Sequence, residues 1–313
     1  MATLAERIAG GMWGLLVGDA VGVPYEFHHP GRIPPLPEVE LDPPSAFHRA
    51  HGGVAPGTWS DDGAQALCLL ESLLERGRVD PDDLMRRLNR WYEHGHLAAG
   101  GRVFDVGIQT SLALERFRDG APAETAGGDG ERENGNGSLM RVLPLALWHR
   151  GSDAELVRDA SLQSVVTHRH PRSQVCCALY CLWARRLLAG SRDAWSEAVA
   201  ALRGELAPRT VPRAELDDQV APEDPRPGTG TGYVVDCLRS ARDVMARGSY
   251  ETVVKEAIRL GHDTDTTACV AGGVAGVRDG VSAIPARWLD RLVDRQLAAP
   301  LIERLVALRS PPA

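Results

Sequence analysis

The chain has 313 residues, of which 43% are hydrophobic and 25% charged. That composition supplies a sizeable core and excludes an intrinsically disordered polymer. The formal net charge is -7 and Lys255 is the only lysine; this acidic balance argues against non-specific binding to nucleic acid phosphates and fits a protein that binds cations, and solubility alone also accounts for it.

Apolar residues at helical spacing predict a first helix over 3–17, with Leu4, Ile8, Met12 and Leu15 on one face. Further helices are predicted over 61–76, from Pro81 through Trp91, and over 106–117, 154–166, 173–188, 195–206, 234–245 and 250–260. The last ones follow Thr264 and Pro285. Proline at the first helical position, as at Pro81, is well tolerated. Three loops stand between them: 28–56, rich in proline, glycine and histidine; 120–137, glycine-rich and acidic; and 208–232, rich in proline and charge. None reads as an interdomain linker and strand signals are scarce. The expectation is one all-α domain over 1–313 with its long loops at one face. Six cysteines, two of them adjacent at Cys176 and Cys177, predict reduced core thiols and a cytoplasmic protein. Near the N-terminus, Glu6 and Arg7 precede a short apolar run, and neither a signal peptide nor a membrane helix is expected.

Two short segments concentrate carboxylates and hydroxyls before an alanine-rich helical pattern. They are GTWSDDG at 57–63 and GHDTDTT at 261–267. Either one alone reads equally well as a helix cap, because serine, threonine and aspartate satisfy free N–H groups and acids suit the dipole. Capping does not require Asp61 beside Asp62, or Asp263 with Asp265. Adjacent like charges oppose each other unless a cation intervenes. If the segments meet, they offer four carboxylates and two hydroxyls, hard oxygen donors suited to Mg²⁺ or Mn²⁺ rather than zinc. Sites of this kind commonly hold two ions.

Other motifs are weaker by themselves. Glu26 in PYEF reads as a solvated surface acid. Glycines in GNGSLMR (135–141) let backbone approach an anion before a helix, but the spacing is not that of a dinucleotide-binding turn. THRHP (167–171) reads as a helix–helix turn; His168, His170 and Cys176 lack the second ligand pair of a zinc site. Asp105 reads as a helix cap and Tyr233 as a core aromatic.

Taken in order, GLLVGDAVGVPYEF (14–27), GTWSDDGAQALCLLESL (57–73), FDVGIQTSLAL (104–114), GNGSLMRVLPLAL (135–147), VTHRHP (166–171), GYVVDCLRSA (232–241) and AIRLGHDTDTTACVAGGVAGVRDGVSAIPARW (257–288) resemble the ADP-ribosylglycohydrolase family. The resemblance implies a compact orthogonal helical bundle around a dinuclear magnesium site, with manganese as the alternative ion. It implies that Ser60, Asp61, Asp62, Asp263, Asp265 and Thr266 ligate the metals, and that Glu26 or Asp62 activates water. It places Asp105 at the substrate ribose, Gly135, Asn136, Gly137, Ser138 and Met140 at the ribose and diphosphate, His168 in the same cleft, and Tyr233 on the adenine. The implied activity is hydrolysis of the glycosidic bond between ADP-ribose and a modified acceptor, releasing ADP-ribose, with a monomer expected. The acceptor stays open among protein side chains, small molecules and, as a modified substrate only, nucleic acid. An ADP-ribose-binding pseudo-enzyme and a hydrolase of another ribosyl or nucleotide compound are the alternatives. Three departures stand out. Ser60 replaces a commoner threonine, His262 a small residue, and the 232–241 segment lacks a usual tryptophan, with Arg242 and Asp243 nearby. His170 is given no role.

Overall fold

Helix α1 (Leu4–Gly22) runs along helix α13 (Thr264–Asp279), and this pair is the most extensive packing in the computed structural model, which describes residues 2–207 and 209–310. The Thr3 hydroxyl accepts from the Glu6 amide at 3.2 Å and the Glu6 carboxylate accepts from the Thr3 amide at 2.7 Å, a reciprocal cap that satisfies two free donors. α1 extends five residues past the expected end at Val17. The reason is its glycines, at 10, 14, 18 and 22, one per turn on a single face. A Cβ at Gly18 would lie 2.1 Å from the Ala268 carbonyl oxygen, and one at Gly10 would lie 2.3 Å from that of Gly276. Glycine weakens an isolated helix by about 1 kcal/mol per residue; here the backbone contact it permits outweighs that. The contact also seats the end of α1, with Asp19 and the segment leading to Glu26, on the start of α13.

Other helices wrap this pair. α2 (Asp61–Arg76), α6 (Leu143–Trp148) and α15 (Arg295–Arg309) lean on α1, while α11 (Val234–Met245) and α12 (Tyr250–Arg259) lean on α13. α8 (Pro171–Leu188) carries α7 (Asp153–Val165) and α9 (Ala194–Leu206), and α3 (Pro81–His94) packs on α2. α4 (Ile108–Arg118), and the short α5 (Ala123–Ala126), α10 (Thr210–Ala214) and α14 (Ala286–Leu289), complete the set. Among the described residues there is no strand, only isolated bridges at Gly128–His168 and Gly135–Tyr233, and the fold is all-α as expected. One hydrophobic cluster runs through the bundle and includes Trp59, Trp91 and Trp288. All six cysteines are buried free thiols. Among the described residues no helix is long and apolar enough to cross a membrane.

Several boundaries differ from expectation. α4 starts at Ile108 rather than 106, with Gly107 as the residue before it, and Asp105 lies two residues further back with φ +57°. Asp105 is therefore not the cap. The segment after Pro285 splits into α14 and α15, with Pro300 inside the latter. The 208–232 loop contains α10 and a π-helical turn over Glu215–Val220; Pro208 itself lies outside the described residues.

Candidate metal centre and ligand cavity

Ser60, Asp61 and Asp62 stand at the start of α2, and Asp263, Asp265 and Thr266 at the start of α13. These two helix starts face each other: the Thr266 hydroxyl donates to Asp62 Oδ1 at 3.2 Å, across 204 positions of sequence. Helix N-termini favour negative charge, so both dipoles support the acids. Glu26, Asp263 and Asp265 each bring a carboxylate oxygen within 4.8 Å of the others, and Glu26, His51 and Asp105 form a second such group. Ser60 keeps its capping role as well, accepting from the Asp62 amide at 3.3 Å.

Two residues of this centre escaped the sequence reading. Asp19, fully buried on α1, accepts from the Ser60 amide at 2.9 Å and the Gly63 amide at 2.8 Å, and so holds the start of α2 in place. Its signal was available: a lone carboxylate inside the apolar run GLLVGDAVG. His51 had no such signal. It lies in the proline-rich loop, with Nε2 2.6 Å from Glu26 Oε2 and 4.0 Å from Asp105 Oδ1. Glu26 is buried, not solvated.

Burial without counter-charge dominates the electrostatics. It pushes Asp19 up to about 7, against the amides that bond it. It pushes Glu26 up to about 10, with the charges of Asp105, Asp263 and Asp62 adding. Asp61, Asp62 and Asp265 rise well above the carboxylate range for the same cause, and the strongest neighbouring charges acting on each are all negative. Asp62 Oδ2 and Asp265 Oδ2 are buried with no hydrogen-bond partner. An orphaned buried carboxylate is costly by several kcal/mol. Hard oxygen donors, two of them unpartnered, fit a divalent cation with oxygen ligands. Behind the acids, Gln65 Nε2 donates to Asp61 Oδ2 at 2.8 Å, and the fully buried Arg141 donates to Gln65 Oε1 at 3.0 Å. Arg141 also bonds Gln163 and Thr167; burial lowers it to about 10, and it stays charged at neutral pH.

A cavity of about 690 Å³ opens above this floor. Its lining carries seven carboxylates against one arginine, Arg132. Glu26, Asp61, Asp62, Asp105 and Asp263 form one end, and the 135–137 loop, Met140, His168 and Tyr233 form the other. Asn136 joins the two ends, its side-chain amide donating to Asp263 Oδ2 at 2.8 Å. A Cβ on Gly137 would lie 2.8 Å from the His168 ring, and one on Gly135 would lie 2.6 Å from Gln109 Oε1, the end of a flexible side chain. Arg141 donates to the Thr167 hydroxyl at 2.8 Å, which leaves that hydroxyl's own proton for His168 Nδ1, also at 2.8 Å. With Nδ1 accepting that proton, the neutral ring carries its hydrogen on Nε2. Burial, then the Arg141 charge, lowers His168 to about 3, so the ring is a neutral donor.

Some residues sit elsewhere than expected. Ser138 does not line the cavity; its buried hydroxyl accepts from Ser164 Oγ at 2.8 Å within the core. Tyr233 is no core aromatic: it is 39% exposed at the cavity rim, its hydroxyl bonded by Arg172 at 3.2 Å. His262 turns its ring outward and works through its backbone, accepting from the Phe27 amide at 2.6 Å and donating to the His28 carbonyl at 2.7 Å. It thereby ties the Glu26 segment to the start of α13. His170 caps α8 through Nδ1, leaving its Nε2 hydrogen beside Glu131 at 3.3 Å.

The chain belongs to the ADP-ribosylglycohydrolase family, whose model matches residues 1–313. Among its relatives, the ADP-ribosylarginine hydrolase Tri1 of Serratia proteamaculans is 31% identical over 96% of this chain and 79% of its own length. The ADP-ribosyl-[dinitrogen reductase] glycohydrolase of Rhodospirillum rubrum is 28% identical over 97% of this chain and 96% of its own. A solved structure described as an ADP-ribosylglycohydrolase-related protein complex superposes with a TM-score of 0.77 at 33% identity, covering 99% of this chain and 100% of that one.

Proposed function

We propose that the protein is a Mg²⁺-dependent hydrolase that releases ADP-ribose from ADP-ribosylated arginine. The observation that carries this reading is the meeting of the two acidic helix starts with orphaned oxygens on Asp62 and Asp265. Arginine is favoured because the acidic end of the cavity suits a cationic leaving group and because relatives bear names that specify it. On this reading the whole chain acts as one domain and as a monomer, and its free thiols suit the cytoplasm.

Ser60, Asp61, Asp62, Asp263, Asp265 and Thr266 would hold two Mg²⁺ ions, with Mn²⁺ able to substitute. Such ions orient ribose hydroxyls and lower the pKa of a bound water. Glu26 accepts the proton of the attacking water, with His51 fixing the carboxylate; Asp62 is the alternative base. Burial and then Asp105 raise Glu26 most; neutralising Asp263 and Asp62 removes two further charges that raise it and so favours its carboxylate form. Asp105 faces the ribose. Backbone at Gly135, Asn136 and Gly137, the Met140 side chain and the neutral His168 Nε2–H receive ribose and diphosphate oxygens; Ser138 supports that loop from behind. Tyr233 stacks on the adenine.

The test is incubation of the purified chain with ADP-ribosylated arginine, serine and nucleobase substrates, with Mg²⁺ and with EDTA. Release of ADP-ribose from arginine in Mg²⁺ alone is expected. Absence of release from every substrate ends the hydrolase reading, and preference for serine or nucleobase ends the arginine assignment.

A further inference from the structure

We infer that Arg141 is a positioning residue for both ends of the cavity: able only to donate, it fixes the direction of the hydrogens presented to Asp61 and to His168. The inference deepens the hydrolase reading above and rests on it for the ligands named. Arg141 closes the GNGSLMR segment and is fully buried, outside the cavity lining. Its Nη1 donates to Gln65 Oε1 at 3.0 Å, and its Nη2 to the Thr167 hydroxyl at 2.8 Å and the Gln163 carbonyl at 2.9 Å. Its Nε donates to Gln163 Oε1 at 3.1 Å.

Folding alone does not call for such a residue. Every one of these partners is neutral, and among the described residues no carboxylate bonds Arg141. A buried cation without an anionic partner is costly, and an apolar side chain of similar length would fill the space without that cost. What the guanidinium supplies is polarity in one direction, since it has five N–H groups and no acceptor. Gln65, Gln163 and Thr167 can each donate or accept. Each must therefore turn an oxygen towards Arg141 and its own hydrogens away.

Those outward hydrogens fall on the site. Gln65 Nε2 donates to Asp61 Oδ2 at 2.8 Å, which holds that carboxylate by one oxygen and leaves the other for a cation. The Thr167 hydroxyl turns its proton to His168 Nδ1 at 2.8 Å, which puts the ring hydrogen on Nε2, beside Gly135 and Gly137. Gln163 Nε2 donates to the Ser138 carbonyl at 3.3 Å and steadies the loop that carries those glycines. Hydrogen bonds in such chains polarise one another. Without Arg141, Gln65 is free to present its oxygen to Asp61, and Thr167 is free to accept from Nδ1–H. His168 Nε2 would then be an acceptor facing the anionic oxygens of the ligand.

The test uses the full chain and reads three quantities. They are the His168 tautomer by nitrogen NMR without metal or ligand, Mg²⁺ affinity by calorimetry, and ADP-ribose affinity at saturating Mg²⁺. The parent is expected to carry the hydrogen on Nε2. Arg141→Met is expected to move it towards Nδ1 and to weaken both Mg²⁺ and ADP-ribose by about 10-fold or more. Two further variants divide the effect and decide the matter if Arg141→Met does not fold. Gln65→Met should weaken Mg²⁺ by about 10-fold and leave the tautomer unchanged. Thr167→Val should weaken ADP-ribose by about 10-fold and change Mg²⁺ affinity by less than about 2-fold. Hydrogen on Nδ1 in the parent, an unchanged tautomer in folded Arg141→Met, or equal loss of both ligands in both single-arm variants would overturn the proposal, as would no loss in either. The hydrolase reading fails separately, because the tautomer is read without ligand. A parent with hydrogen on Nε2 that binds no ADP-ribose keeps the role of Arg141 towards His168 and loses the reading.

Discussion

Two groups of partly or fully buried acids in this protein obey opposite electrostatics. Glu40 and Glu251 both lie 3.0 Å from Lys255, and Arg287 reaches both. Burial raises their carboxyls, but hydrogen bonds outweigh it, from Arg287, Trp288 and Lys255 for Glu40 and from Arg287 and Lys255 for Glu251, and both stay below the ordinary value. Asp61, Asp62 and Asp265 undergo deeper burial with no ion pair to a basic side chain and with acids as their strongest neighbouring charges, and rise. The first group is scaffolding, which ties the 28–56 loop to α12 and α14. The second has no basic partner, and its residues could hold a cation. Acids already paired with arginine or lysine hold the fold together, and acids denied that pairing mark where the chemistry belongs.

The contrast is broken most directly by removing one unpaired acid. Asp62→Asn or Asp265→Asn is expected to lower turnover by more than about 100-fold, beyond the effect typical of outer-shell losses. In EDTA the same variants should melt higher than the parent, because a buried like charge is gone. Lower melting in EDTA would mean that these acids are scaffolding after all. Glu26→Gln should lower turnover by about 10²- to 10⁴-fold, the range of a general base, while Mg²⁺ still raises the melting temperature.

The dependence on pH sharpens the comparison. Glu26 is raised from its ordinary 4.5 to about 10, so the metal-free folded chain keeps a proton that the unfolded chain releases. Stability in EDTA therefore falls as pH rises through that window. Mg²⁺ at about 100 times its Kd adds about 2.7 kcal/mol, and this gain shrinks as pH falls because protons compete for the ligands. Thermal melts at several pH values, with Mg²⁺ and with EDTA, read both slopes. The smallest effect belongs to the paired group. Lys255→Gln should cost about 1–3 kcal/mol of stability and leave Mg²⁺ affinity unchanged; weaker Mg²⁺ binding in this variant would show that the two groups are coupled.

Much of the site was legible where its residues are consecutive. Asp61 beside Asp62, and Asp263 near Asp265, stand out because a run of acids before an apolar helix exceeds what capping needs. Glu26 alone looked like surface, since burial is decided by the α1–α13 contact and the loop folded over it. Ser138 sat within a ligand-like motif, yet the local turn directs its hydroxyl to Ser164. α1 runs past its expected end at Val17, and the close approach its glycines permit exists only when α13 is in contact. Asp105 looked like a cap because nothing local reveals a left-handed backbone.

The sequence by itself determined the helical pattern and the acidic helix starts, since both depend on residue type and short-range spacing. Only the tertiary structure decided that Thr266 reaches Asp62, that Asp19 steadies Ser60 and that His51 holds Glu26. Those relations join residues far apart in the chain, and their geometry follows from packing two backbones at glycine distance, which no local pattern encodes.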